Sequence, residues 1–259
     1  MQAFDRVLAA RAKDRPGCAD FIANIFDDFV ELRGDRRYGD DKAILAGIAR
    51  LEGMPVTVVA TQKGTCTGER VAANFGCAHP EGYRKALRQF LLAEKFARPV
   101  VTLIDTAGAY CGLGAEERGQ AQAIAECLTT LMTLRTPVIA ILTGEGGSGG
   151  ALALAVADRV WMMENAVYSV ISPEGCASIL WKDASKTEDA ARSLKLTAED
   201  LLGFHVVDSI VPEGAGFDKA YADIRSRLKD TLGALKALDV KDLLSARYKR
   251  YRTMGGFLG

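Results

Sequence analysis

Apolar positions recur along this chain with two different periods, and the changes of period mark its elements. Three β-branched apolar runs each open on a Pro-Val pair: Pro55 in MPVTVVATQKG, Pro99 in RPVVTLIDTAG and Pro137 in TPVIAILTGEG. Each has strand length and ends in glycine-containing sequence, and a proline at a strand's first position costs no ladder hydrogen bond. Between them the period lengthens. In EGYRKALRQFLLAEKFA (81–97), Tyr83, Ala86, Leu87, Phe90, Leu91 and Phe96 lie close to helical spacing. GAEERGQAQAIAECLTTLMTL (114–134) places Glu116 and Glu117 where they favour a helix N-terminus before it turns apolar. The pattern predicts strand, loop and helix in repetition, an α/β domain whose sheet is buried by helices.

Further on, RVWMMENAVYSVI (159–171) predicts a strand interrupted near Asn165, followed by a turn at Ser172-Pro173-Glu174-Gly175. Thr197 and Asp200 suggest the cap of a short helix, LTAEDLLGF, leading into another strand, HVVDSIVPEG. From Phe217 to Arg252, Ala220, Ile224, Leu228, Leu232, Leu235 and Leu238 form an apolar stripe on one long amphipathic helix, which either covers the domain or docks a partner. The expected division is a helical segment over 1–42, a central domain over 43–216 and a C-terminal helical extension over 217–259.

At 259 residues the chain can bury a sizeable core. Lys plus Arg equals Asp plus Glu at 33 each, so no global field recruits nucleic acid or an anionic membrane. The basic tail RYKRYR (247–252) is read accordingly as cations complementing a helix C-terminus, not as a nucleic-acid patch. Cys18, Cys66, Cys77, Cys111, Cys127 and Cys176 are scattered, with no C-x-x-C pair or histidine cluster, so neither a metal site nor a disulfide framework is expected. The N-terminus is charged throughout residues 1–15, and the longest apolar run, Ala151–Ala157, is too short to span a bilayer. A cytoplasmic protein with reduced thiols is expected.

The most informative segment is the junction TPVIAILTGEGGSGGALALAVADRV (136–160), a strand that runs through clustered glycines straight into a helix. Glycines admit a sharp turn and close approach, and the first helical turn presents unpaired N–H groups at the positive end of its dipole, so the junction suits an anion. Gly144, Gly146 and Gly149 fit a dinucleotide fingerprint with Glu164 as its acidic residue. Gly146, Ser148 and Gly150 fit a nucleophile elbow, which would need His205 and an acid such as Asp208. The backbone N–H groups of Gly149 and Gly150 could instead form an oxyanion hole, and a tight packing turn needs no ligand at all. The residues alone leave these readings open.

From Ala3 to Glu213 the chain resembles the alpha subunits of bacterial acetyl-CoA carboxylase carboxyltransferases. The resemblance rests on FDRVLAARAKDRP (4–16), ELRGDRRYGDD (31–41), NFGCAHPEGYRKALR (74–88), LIDTAGAYCGLGAEERGQ (103–120), GEGGSGGALA (144–153), YSVISPEGCASILWK (168–182) and VVDSIVPE (206–213). It implies a crotonase/ClpP-like spiral of strand-strand-helix units, in keeping with the repeated Pro-Val runs. It also implies carboxyl transfer from carboxybiotin, held on a separate biotin carboxyl carrier protein, to acetyl-CoA, giving malonyl-CoA for fatty-acid synthesis. The implied partners are a beta subunit that carries the zinc ribbon and binds acetyl-CoA, in an α2β2 assembly, together with biotin carboxylase. By position in the family motif, the N–H groups of Gly149 and Gly150 hold the negative charge on the biotin ureido oxygen, Gly146 and Gly147 shape the approach, and Gly108 and Ala109 line the biotin slot. The alternatives within this fold are another crotonase-type acyl-CoA carboxylase or decarboxylase, or a scaffold homologue without turnover.

The loop DTAGAYCG (105–112) follows the Pro99 strand as the glycine loop follows the Pro137 strand, so the two are expected side by side at one sheet edge. Ala107 and Cys111 replace two prolines of the family pattern, which predicts a looser loop; Cys111 is read as a neutral thiol rather than a nucleophile. His79 and His205 belong to no evident constellation. Ile179, Leu180 and Trp181 in SPEGCASILWK read as core or interface, with Lys182 as an ion-pair or phosphate group. Arg33, Arg36 and Arg37 are read either as pairing with Asp35, Asp40 and Asp41 or as an anion site.

Overall fold

The computed structural model describes residues 1–214 and 216–255. The chain opens with α1 (Ala3–Ala10), α2 (Cys18–Ile25) and β1 (Asp27–Glu31), followed by β2 (Ile44–Leu51), β3 (Met54–Thr61), α3 (Thr67–Ala72) and α4 (Pro80–Lys95). The middle comprises β4 (Val100–Thr106), α5 (Leu113–Glu117), α6 (Gln120–Thr133), β5 (Val138–Gly147), α7 (Ser148–Ala155), β6 (Arg159–Met163) and β7 (Val167–Ser169). It closes with α8 (Pro173–Trp181), α9 (Thr187–Leu194), α10 (Ala198–Gly203), β8 (Ser209–Val211), α11 (Phe217–Lys236) and α12 (Val240–Arg252).

One mixed sheet organises the whole, in the order β1-β2-β3-β4-β5-β6-β8, with β7 paired to β5 off this path. β1, β2 and β3 run antiparallel, and β3, β4, β5, β6 and β8 run parallel. The three Pro-Val runs are neighbours in register: Thr57 N–H donates to Pro99 O, and Val100 N–H donates to Pro137 O. Each proline thus uses its carbonyl in the ladder and gives up nothing by lacking an N–H. β4 is buried at every position, as a parallel strand covered on both faces should be. The covers are α4, α6 and α7, packed on one another, and α2 with α11.

β5 is the long strand, and it serves two layers. Ile139–Leu142 pair with β6, whereas Glu145–Gly147 pair with β7. The change comes at an irregularity, where Ile104 of β4 faces Leu142 of β5 but Thr106 faces Gly146. Such a bulge bends a strand and re-aims its remaining residues.

Four local expectations are corrected. The segment 1–42 is not wholly helical, because Asp27–Glu31 joins the sheet as an edge strand. The helix over 114–134 is broken at Gly119, whose φ of 79° no helix accommodates. Ser172-Pro173-Glu174-Gly175 is the first turn of α8, with the Ser172 hydroxyl accepting from Gly175 N–H and Pro173 at a position where helices tolerate it. The terminal helix is two helices, because the Asp239 side chain accepts from Lys241 N–H and caps α12; Leu238, at the break, is 46% exposed rather than in the core.

That last break lets α12 return to the sheet. Arg247 is fully buried, and its guanidinium donates to both Asp158 oxygens at 2.8 and 2.7 Å and to the carbonyls of Leu131, Leu134 and Thr136. Tyr251 accepts from Ala157 N–H, and Arg250 pairs with Asp208. The basic tail is therefore a structural staple.

Candidate functional site

The ends of β4 and β5 build the site. Side by side in parallel, they deliver the loop 105–112 and the glycine turn to the same edge of the sheet, as the sequence predicts. A Cβ on Gly147 would overlap the Ala107 carbonyl, and one on Gly150 would overlap the backbone of Gly108 and Ala109 and meet Tyr83 Oη at 2.8 Å. The two loops are in backbone contact, which glycine alone permits. Gly144 and Gly146 serve packing: a Cβ on the first would strike the Asp105 carboxylate, and one on the second Leu142 and Tyr168. Gly146 is buried and Gly147 half-buried, and both shape the turn by letting neighbouring backbone and side chains approach closely.

The acceptor-free donors are elsewhere. Gly149 and Gly150 lie in the first turn of α7, where N–H groups have no intrahelical acceptor. Among the described residues neither donates to a loop carbonyl or a side chain, and the same is true of Ala109 N–H on the facing loop. Ala109 is held there because Tyr110 N–H donates to Ala78 O, Gly108 N–H donates to the Thr106 hydroxyl, and Gln120 Nε2 donates to Tyr110 O. Residues of two loops with acceptor-free N–H groups, Gly150 and Ala109, are thus in contact at the positive end of a helix dipole. Beside them opens a cavity of about 280 Å³ lined by Ser148, Gly149, Leu152, Tyr168, Val170 and Leu201 among others.

The rival readings of the glycine turn lack their partners. Ser148 is exposed on a strained turn with φ 48°, as a nucleophile elbow needs, but Ser148 and His205 line different cavities, and Asp208 is engaged by Val160 N–H and Arg250. Glu164 accepts from Glu213 N–H and pairs with Arg6, so it is committed to the fold.

On the other side of the strand ends lies a cleft of about 710 Å³, whose lining includes Arg11, Lys63, Asp105, Ala107 and Glu145. Lys63 Nζ sits 2.6 Å from Asp105 Oδ1 and 2.9 Å from Glu145 Oε2, and Arg11 joins Glu145 to Glu174 at 2.7 Å each. Burial works to raise the Glu145 carboxyl, but Lys63 and Arg11 outweigh it and hold it below the usual range. Burial likewise works to lower the Lys63 ammonium, and the two carboxylates outweigh it. Sequence reasoning missed this cluster. Its members stand beside the quoted motifs, but their pairing is non-local and carries no spacing signal.

The remaining candidates do not join the site. His79 stacks on Tyr110 at 4.1 Å between centroids, and its backbone N–H donates to Asp41, a structural use close to the loop. Cys111 is exposed, and Lys182 is the left-handed C-cap of α8. The Arg33, Arg36 and Arg37 pairing with neighbouring aspartates is corrected: Asp35 accepts from the N–H groups of Arg37, Tyr38 and Gly39 and from Arg84, whereas Arg33 pairs with Glu31 and Arg37 with Glu126. The short polar side chain closes its own loop instead of meeting the arginines.

This architecture is that of the crotonase-like carboxyltransferases. The chain superposes on transcarboxylase 12S, solved with methylmalonyl-coenzyme A, with a TM-score of 0.69 at 21% identity, and on the beta subunit of P. aeruginosa geranyl-CoA carboxylase at 0.68 and 18%. It covers 46% and 47% of those chains, while they match 97% and 99% of this one. The family described as acetyl co-enzyme A carboxylase carboxyltransferase-like matches residues 1–255, and the chain belongs to it. It is 57% identical to the acetyl-coenzyme A carboxylase carboxyl transferase subunit alpha of Ruminiclostridium cellulolyticum, over 98% of both chains. It is 54% identical to the subunit of the same name from Carboxydothermus hydrogenoformans, over 97% of this chain and 80% of that one.

Proposed function

We propose that this chain is the alpha subunit of an acetyl-CoA carboxylase carboxyltransferase, moving a carboxyl group from carboxybiotin on a separate carrier protein to acetyl-CoA to form malonyl-CoA. The observation that carries the reading is the first turn of α7, where the N–H groups of Gly149 and Gly150 have no acceptor among the described residues and Gly149 lines an apolar cavity, with Ala109 in backbone contact with Gly150. A bicyclic ring with one polar oxygen suits such a place, its body against Leu152, Tyr168 and Val170 and its oxygen toward the donors. Biotin bound here would supply the carboxyl group, its ureido nitrogen would take up the proton that the acetyl methyl gives up, and its ureido oxygen would bear negative charge between the two events. The N–H groups hold that charge, at no cost of reorganisation, because the two loops fix them beforehand. Among the described residues no histidine, lysine or carboxylate lines the cavity, so this chain's part in catalysis is positional and electrostatic.

The zinc-bearing beta subunit that holds acetyl-CoA completes the site, in an α2β2 assembly served by the biotin carboxyl carrier protein and biotin carboxylase in the cytoplasm. Val170, Ile179 and Leu180, exposed at 75%, 68% and 65% beside the cavity and on α8, support a partner surface there. No helix among the described residues is long and apolar enough to cross a membrane.

The test is malonyl-CoA-dependent carboxylation of biocytin by the chain alone, by the chain with a zinc-ribbon beta partner, and by Gly150→Ala in the same mixture. Turnover is expected in the wild-type mixture and not from the lone chain, with Gly150→Ala, which keeps its N–H but whose Cβ would push the facing loop aside, reduced by about 100-fold, the cost typical of an ångström's misplacement. Turnover by the lone chain would favour a stand-alone acyl-CoA enzyme. A stable complex without turnover would favour a scaffold.

A further inference from the structure

The glycine turn owes its direction to the bulge at which β5 leaves β6 for β7. Between the pairs Ile104–Leu142 and Thr106–Gly146, β5 spends Thr143, Gly144 and Glu145 against the single residue Asp105 of β4. A bulge leaves backbone groups without ladder partners. Here side chains take their place: Glu145 N–H donates to Asp105 Oδ1 at 2.8 Å, the Thr143 hydroxyl donates to Ile104 O, and Asp105 N–H donates to the Thr61 hydroxyl. The Asp105 carboxylate lies over Gly144, where a Cβ would strike it. It therefore acts as a plug in the bulge, and it begins the loop that presents Ala109.

An almost buried carboxylate needs a cation, and the ion pair of Asp105 among the described residues is with Lys63. Lys63 follows β3, and its stem is packed so that a Cβ on Gly76 would fall 2.7 Å from its Cγ. Gly76 O in turn accepts from the Thr106 hydroxyl, which also accepts from Gly108 N–H. The ammonium reaches Glu145 as well, two residues before the paired Gly147. One side chain thus joins the roots of both donor-bearing loops, while Arg11 holds Glu145 from outside and ties it to α8.

We infer that Lys63 is a positioning residue, which sets the spacing of the 105–112 loop and the glycine turn by neutralising the carboxylate that plugs the β5 bulge. The inference rests on the reading of those loops as the oxyanion site. Replacing Lys63 by an uncharged residue leaves Asp105 and Glu145, on the two sides of the bulge, as neighbouring mostly buried carboxylates that share no cation, and their repulsion favours a wider spacing of the two strand ends. Misplacement by an ångström is enough to cost a positional catalyst about 100-fold.

The test measures amide hydrogen exchange of the whole chain and biocytin carboxylation with the beta partner, for wild type, Lys63→Met, Lys63→Arg and Lys63→Met with Asp105→Asn. Lys63→Met is expected to speed exchange over 105–112 and 143–150 while α11 and α12 stay as in wild type. It is expected to lower kcat by about 10–100-fold with the KM for malonyl-CoA unchanged. Lys63→Arg keeps the charge and is expected to retain most activity, and the double variant, which removes the unpaired carboxylate, to recover part of the loss. Exchange that rises equally throughout the chain, or loops and kcat both unaltered, would overturn the inference. If Lys63→Met does not fold, Lys63→Gln, which keeps a hydrogen-bond donor but no charge, is expected to give the same loop-confined exchange, and its absence overturns the inference too. An inactive wild-type mixture with the exchange change still present would defeat the functional reading and leave the loop coupling standing.

Discussion

The two ends of β5 treat polar groups in opposite ways. At its start, Val138 N–H donates to Asp158, and Asp158 meets Arg247, whose five N–H groups all find acceptors in a fully buried pocket. At its end, Gly149, Gly150 and Ala109 keep N–H groups without protein acceptors. Buried polar groups are otherwise paired, and a structure tolerates exceptions where a helix terminus meets an opening that a ligand or water can enter. The first end holds the strand; the second uses that fixed strand to aim donors at something outside the chain. Between the two lies the bulge, with Asp105 and Lys63.

Substitutions at each end should therefore separate rate from stability. Gly150→Ala is expected to lower the rate by about 100-fold with a folded complex, because its Cβ would overlap the backbone of the facing loop and misplace the donors. Arg247→Ala should do the reverse: thermal or denaturant unfolding should show a loss of about 3–5 kcal/mol, from the uncompensated charge left on Asp158, with kcat kept while the chain is folded. Tyr251→Phe, which removes the acceptor of Ala157 N–H, should cost about 1 kcal/mol by the same measurement. The smallest effect is expected next door to the largest. Gly149→Ala has its nearest neighbours at 3.9 Å, so helix propensity should gain it roughly 0.5–1 kcal/mol, and biocytin turnover should persist.

Legibility in the sequence divides along the same line. The Pro-Val runs announced three neighbouring strands because β-branched periodicity and the position of proline are local signals. They also implied the adjacency of the two loops. The glycine turn was legible as an anion site, but its rivals fell only when Ser148 and His205 were seen to line separate cavities. The family motifs pointed to Gly149 and Gly150, whereas the acceptor-free N–H of Ala109 needed the facing loop in view. Local capping explains the misjudged helices: Asp239 starts a new helix within an unbroken apolar stripe, and Gly119 ends one where the stripe continues. Edge strand β1 was missed because it is short and half exposed, without an apolar alternation. Lys63 with Asp105 and Arg247 with Asp158 could not be read at all, because each pair joins residues far apart in the chain and a charge shows no periodicity. The basic tail reads in the sequence as cations at a helix C-terminus, whereas Arg247 and Arg250 reach across to Asp158 and Asp208.

The most direct measurement is the rate of malonyl-CoA-dependent biocytin carboxylation by Gly150→Ala beside wild type, each in a verified complex with the beta partner. The account predicts a fall of about 100-fold in the variant, through displacement of the facing loop. A variant that carboxylates biocytin at the wild-type rate would contradict it.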